Sequence, residues 1–176
     1  MSTEQFFLAT MSPAKRFHDC RTLPAINFST PCFLQQADTL ALKLKGLSQA
    51  DIERIMAVSV DIAALNHQRY NDYLPDNSGK TTPCGYLFAG DAFKSLNFPK
   101  FSPEKQEQAQ EHLFILSGLY GLLRPLDRIS HYRLEMGCRI KPYLGYHLHD
   151  FWKKPNTDFL NAHIAKHGIC YHINLA

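Results

Sequence analysis

No apolar run in this chain approaches the roughly 18 residues that a membrane-crossing helix requires. The start, MSTEQFFLATMSPAK, has no basic stretch ahead of its short apolar run, so it does not read as a signal peptide. A soluble cytoplasmic protein with no membrane partner is therefore expected. Glycine-rich nucleotide fingerprints, Walker loops and zinc signatures are all missing. The five cysteines (Cys20, Cys32, Cys84, Cys138 and Cys170) are odd in number and widely spaced, with no CxxC pair. That excludes a disulfide framework and a zinc ribbon, and leaves free, mostly buried thiols. No cofactor and no metal is implied. His147 and His149 have the i, i+2 spacing of a strand face, but lack a third ligand at a suitable distance and read as solvated or hydrogen-bonded side chains.

Net charge is also small, +3 over 176 residues, with 45% hydrophobic and 20% charged residues. This is the composition of an ordinary globular chain, long enough to bury one sizeable core. The charge is uneven. Residues 1–88 balance eight basic against eight acidic groups, whereas residues 89–176 hold eleven against eight. From Arg124 to Lys154 there are seven basic groups, three acids and three histidines. Such an excess suits phosphate, and equally a mixed solvated surface.

One stretch organises the rest: Leu116 to Gly137, LSGLYGLLRPLDRISHYRLEMG. It combines the hinge residues Ser117, Gly118 and Gly121 with Tyr120, Arg124, Asp127, Arg128, Arg133 and Glu135. Glycine permits positive φ or a close approach, and Pro125 fixes a turn. The pattern predicts a buried strand, a shaped loop and a returning strand. Alternation of Tyr132, Leu134 and Met136 with Arg133 and Glu135 places the two charges on one strand face. They read either as an ion pair orienting a loop or as part of a polar cleft for phosphate or carboxylate.

In chain order, residues 6–10 (FFLAT) predict a short buried strand, which brings Lys15 to a strand end, where α/β sheets build ligand sites. Apolar spacing predicts a helix over 33–45, with Gly46 as its stop; Ser48 with Asp51 predicts a capping-box start to a second helix, and a third runs from about 60 to 70. Residues 71–85 read as a long mobile surface loop. Residues 86–88 read as a strand leading to Asp91, either a polar site residue or an N-cap. Ser102-Pro103-Glu104 opens a helix to about residue 112, and 113–116 reads as a buried strand. Residues 141–149 read as a loop, 158–166 as an amphipathic helix stopped by Gly168, and 169–175 as a closing strand. The fold class is mixed α/β: one domain over 1–176, with a mixed sheet flanked by helices and a helical hairpin, residues 33–70, projecting from it.

The hairpin around Lys43, Lys45, Gly46 and Ser48 is an αα-hairpin that also has the shape of a helix-hairpin-helix, in which backbone N–H groups and flanking lysines hold DNA phosphate. Candidate pocket residues are Lys15, Asp91, Ser117, Tyr120, Arg124, Arg128, Arg133 and Glu135. LSGLYGLLRPLD with YRLEMG, together with SPAK at residues 12–15, Gly90-Asp91 followed by Phe93 and Leu96, FW at 151–152 and INLA at the end, resembles the YaaA family of bacterial peroxide-stress proteins. Arg16-Phe17 departs from the Thr-Leu usual there. The resemblance implies duplex DNA as a partner, contact through the hairpin element, and a role in limiting iron-driven oxidative damage. It also implies that the family's last third, beginning with a Ser-Asp-Glu-Tyr-like motif, would follow Ala176. Two other readings stand beside it: an enzyme of unassigned reaction taking a small-molecule ligand around Lys15, Arg133 and Glu135, and an inert shortened remnant.

Overall fold

The computed structural model describes residues 7–20, 23–24 and 26–176. Strand β1 (Phe7–Met11) is the centre of a mixed four-stranded sheet, with β2 (Arg16–Phe17) just beyond it. Three helices follow: α1 (Leu34–Lys45), α2 (Gln49–Met56) and α3 (Val60–Asn71). Next come β3 (Thr82–Pro83), α4 (Cys84–Leu87), β4 (Phe88–Ala89), α5 (Asp91–Leu96) and α6 (Pro103–His112). Then β5 (Leu113–Ser117), β6 (Gly121–Leu123), β7 (Arg128–Ile129), α7 (Lys141–Leu144), α8 (Leu148–His167) and β8 (Tyr171–Leu175) complete the described chain.

The sheet order is β6-β5-β1-β8. β5 and β8 both run parallel to β1, with Ala9 opposite Leu113 and Ile173, while β6 returns antiparallel to β5. One sheet face is sealed by α8, where Leu8, Phe114, Leu122 and Ile169 meet Phe159, Leu160 and Ile164. A larger core joins Leu40, Ala41 and Leu44 of α1 and Ile52 and Ile55 of α2 to Tyr120, Leu123 and Trp152. The helical hairpin therefore lies against the body of the protein instead of projecting from it. Its apolar stripe is wide enough to need a second wall.

Local chemistry explains most element ends. Ser48 and Asp51 form a reciprocal capping box at the start of α2, and Ser102 accepts the Lys105 N–H at the start of α6. Gly168, at φ +61°, ends α8. Four stretches differ from the sequence reading. Tyr86 and Leu87 lie in the helical turn α4, because the Cys84 and Gly85 N–H groups are taken by the Asp127 and Pro125 carbonyls at 2.9 and 2.8 Å. Residues 81–88 are buried, and Asp38 ties the preceding loop through the Tyr73 hydroxyl at 2.6 Å and the Asp76 N–H at 3.1 Å. Thus much of 71–85 is an anchored connection. Residues 141–144 form α7, and α8 runs unbroken through Pro155.

Candidate functional site

The carboxyl ends of the three parallel strands converge on a cleft of about 600 Å³. β1 delivers Ser12, Pro13, Ala14 and Lys15; β5 delivers Leu116; Ala176 follows β8. The far wall is α8, with Trp152, Lys153, Asn156 and Leu160, and the floor is the segment from Tyr132 to Gly137. A crevice outside the carboxyl ends of parallel strands is where open α/β sheets take ligands.

Gly118 and Gly121 shape that floor. A side chain at Gly118 would run into the Leu134 carbonyl, so only glycine lets 132–135 pass over the end of β5. Gly121 has φ +70°, and a Cβ there would stand 2.6 Å from the Trp152 ring. Trp152 is fixed in turn, its Nε1–H donating to the Gly118 carbonyl at 2.8 Å. Residues 132–135 belong to no sheet ladder, yet their burial alternates: Tyr132 and Leu134 face the core, Arg133 and Glu135 the cleft.

The charges meet there. Glu135 Oε2 lies 3.1 Å from Lys15 Nζ, and its Oε1 accepts from Arg133 Nη2 at 3.0 Å. One carboxylate thus holds two cations. The Arg133 carbonyl accepts the buried Tyr70 hydroxyl at 2.9 Å, which links α3 to the site. Arg133 Nε and Asn156 Oδ1 are buried without a hydrogen-bond partner. Beside them, burial raises the Cys138 thiol and the Tyr132 phenol above their usual ranges, so both stay protonated near neutral pH.

Lys15, Arg133 and Glu135 come together; the other pocket candidates do not join them. Ser117 is fully buried, its hydroxyl 2.6 Å from that of Tyr132 and accepting the Leu119 and Tyr120 N–H groups, so it shapes the turn. The Tyr120 hydroxyl accepts the Ser130 N–H inside the core, and burial pushes its pKa up to about 12. Arg124 pairs with buried Asp127 at 3.3 Å, and Asp127 also accepts from Ser29 at 2.6 Å. Arg128 donates to the Thr81 carbonyl at 3.2 Å and lies over Phe28. Asp91 stands in the first turn of α5, exposed, 3.6 Å from Lys94. The sequence spread charge over these positions because spacing does not reveal which side of a loop faces a cleft.

At the hairpin, Lys43 is exposed and Lys45 half-exposed in the last turn of α1. The Gly46 and Leu47 N–H groups bond to the Leu44 carbonyl, and that of Ser48 to Asp51 at 3.3 Å. The loop's backbone donors are therefore spent internally, so a ligand at the hairpin would meet the lysine side chains and not a set of open N–H groups. The sequence reading missed Lys153 and Asn156 and treated Trp152 only as packing. Their signal was a polar residue set in an apolar i, i+4 stripe, Trp152–Asn156–Leu160. Among the described residues, no three His, Cys, Asp or Glu side chains gather as a metal-ligand set, and no helix is long and apolar enough to cross a membrane.

Sheet order, strand-end cleft and flanking helices define an α/β protein with a charged crevice at its topological centre. Comparison with known proteins then gives the family: residues 7–176 match the description "Peroxide stress protein YaaA", and the chain belongs to that family. It is 39% identical over 171 residues to a UPF0246 protein of Legionella pneumophila strain Lens, with 96% of this chain and 66% of that protein covered. A UPF0246 protein of Ruegeria pomeroyi is 38% identical over 170 residues, with 96% and 66% covered. One from Jannaschia is 43% identical over 155 residues, with 88% and 59% covered. The chain thus spans about two thirds, or less, of the length of these relatives.

Proposed function

We propose that this chain acts in the cytoplasm during peroxide stress by binding duplex DNA and limiting its iron-driven oxidation. The observation that carries this is a continuous path from hairpin to cleft. The Lys43 ammonium lies 5.6 Å from the Tyr146 ring centre, Tyr146 stacks on Phe151 at 5.1 Å, and Phe151 abuts Trp152 in the cleft wall at 4.8 Å. Exposed Arg139, Lys141, Lys153 and Lys154 lie in the same stretch of chain. Lysine and arginine heads on such a surface grip the phosphate backbone without reading sequence, and each contact releases counterions. A backbone so covered is less open to iron bound on its phosphates.

Fluorescence anisotropy on a short duplex across a salt series tests it. Binding should weaken linearly in log–log salt, with a slope of about 0.9 per phosphate contacted. Lys43→Glu with Lys45→Glu should lower both affinity and slope. The protein should also reduce strand breakage by ferrous iron and peroxide. Salt-independent binding, or affinity indifferent to the charge reversal, would sink the proposal.

A further inference from the structure

We infer that the cleft at the ends of β1, β5 and β8 is a binding site for a phosphate monoester of a small, partly apolar molecule. This goes beyond DNA contact and does not depend on it. Three cationic side chains, Lys15, Arg133 and Lys153, line the cleft against one acidic side chain, Glu135. A phosphate monoester carries about −1.5 to −2 at neutral pH and three acceptor oxygens, so it can engage several of these cations at once, which a simple carboxylate with one charge and two oxygens does less well.

The polar inventory points the same way. Arg133 Nε and Asn156 Oδ1 are buried and unpaired, and both residues line the cleft; Asn156 is only 9% exposed. Buried polar groups are nearly always satisfied, so two orphans on residues that line one cleft leave hydrogen-bonding capacity that a ligand can use once the side chains turn toward it. Glu135 now stands as the internal counterion, one oxygen on Lys15 and one on Arg133. It is 41% exposed, free to swing outward. A phosphate has three oxygens for the same cations and so takes Arg133 Nε as well as Nη2, in the side-on geometry arginine favours. The Asn156 oxygen packs over Gly121, and a turn of its side chain would bring the amide to a hydroxyl or N–H on the body of the ligand. Leu116, Leu134, Met136, Trp152 and Leu160 supply apolar walls, and about 600 Å³ is the size of a small-molecule site.

The test is titration of the full chain with adenosine 5′-monophosphate, glycerol 3-phosphate, inorganic phosphate and adenosine, followed by calorimetry and by the arginine Nε–H resonances. At least one monoester should bind and shift the Arg133 Nε–H signal, while adenosine should not. Arg133→Lys and Lys15→Ala should each weaken the monoester by roughly tenfold, with melting curves confirming that the variants fold. Lys43→Glu with Lys45→Glu should leave monoester affinity as it is, which separates this site from the DNA reading. Inorganic phosphate binding as tightly as every ester would overturn the assignment of a monoester. No phosphate-dependent shift at Arg133, or affinity unchanged in Arg133→Lys, would overturn the site itself.

Discussion

Single residues set the cleft's geometry more than its charge does. Gly118 is the clearest instance: the backbone of Leu134 fills the space its side chain would need, and Leu134 lies between Arg133 and Glu135. Gly118→Ala must therefore push aside backbone, which cannot rotate away as a side chain can. Overpacking of this kind costs about 1–3 kcal/mol, and the upper end is expected here because no flexible atom is at hand to yield. Urea denaturation would show the loss, and an unchanged midpoint would mean that the floor of the cleft is soft. Asp127 is another such residue, fully buried under the Arg124 N–H and the Ser29 hydroxyl. Burial raises its pKa despite Arg124, and its bonds to Arg124 and Ser29 clamp the turn.

Among the elements, α8 ties sheet, cleft and α6 together. His163 of α8 donates its Nε2–H to the Glu111 carbonyl of α6 at 2.7 Å and stacks on His167 at 4.3 Å. Burial lowers its pKa below the ordinary 6.5, with His167 and His112 also disfavouring the charge. The folded state thus binds its proton less readily than the unfolded chain does. Its contribution is present above the ordinary histidine pKa and is lost as pH falls through the depressed folded value. Stability should decline on acidification across that window, and His163→Gln, which keeps a donor, should flatten the decline. Denaturation midpoints above and below the histidine range would check this; equal slopes for both proteins would assign the pH dependence elsewhere.

At the scale of the whole molecule, the β8 edge of the sheet is exposed among the described residues. β8 pairs on one side with β1, and Tyr171, Ile173 and Leu175 are 54, 44 and 66% exposed, beside Phe7 at 48%. Open apolar edges template pairing with other chains. Light scattering on the 176-residue chain should show concentration-dependent association, reduced in Ile173→Lys; a monomer at all concentrations would show the edge to be protected already. The same scale explains what could be read in advance. The helices at 34–45, 49–56, 60–71 and 103–112 and the strands at 7–11 and 113–117 were legible because caps and periodicity are local. The helical turn at 84–87 and the burial of 81–88 were not, because both depend on carbonyls and packing about 40 positions further along the chain.

By itself the sequence determined the fold class, the turn chemistry of Ser117–Gly121, the alternation of Arg133 and Glu135, and the family likeness. These follow from spacing and backbone preference, which act over a few residues. Only the tertiary structure decided which charges meet. Lys15 and Glu135 are 120 positions apart, and they form a pair because parallel pairing of β1 and β5 brings both strand ends to one crevice. Arg124, Arg128 and Asp91 look equally suitable in the sequence, yet each meets another partner: Asp127, the Thr81 carbonyl and Lys94. A line of residues records chemistry; the sheet order decides which groups share a cavity.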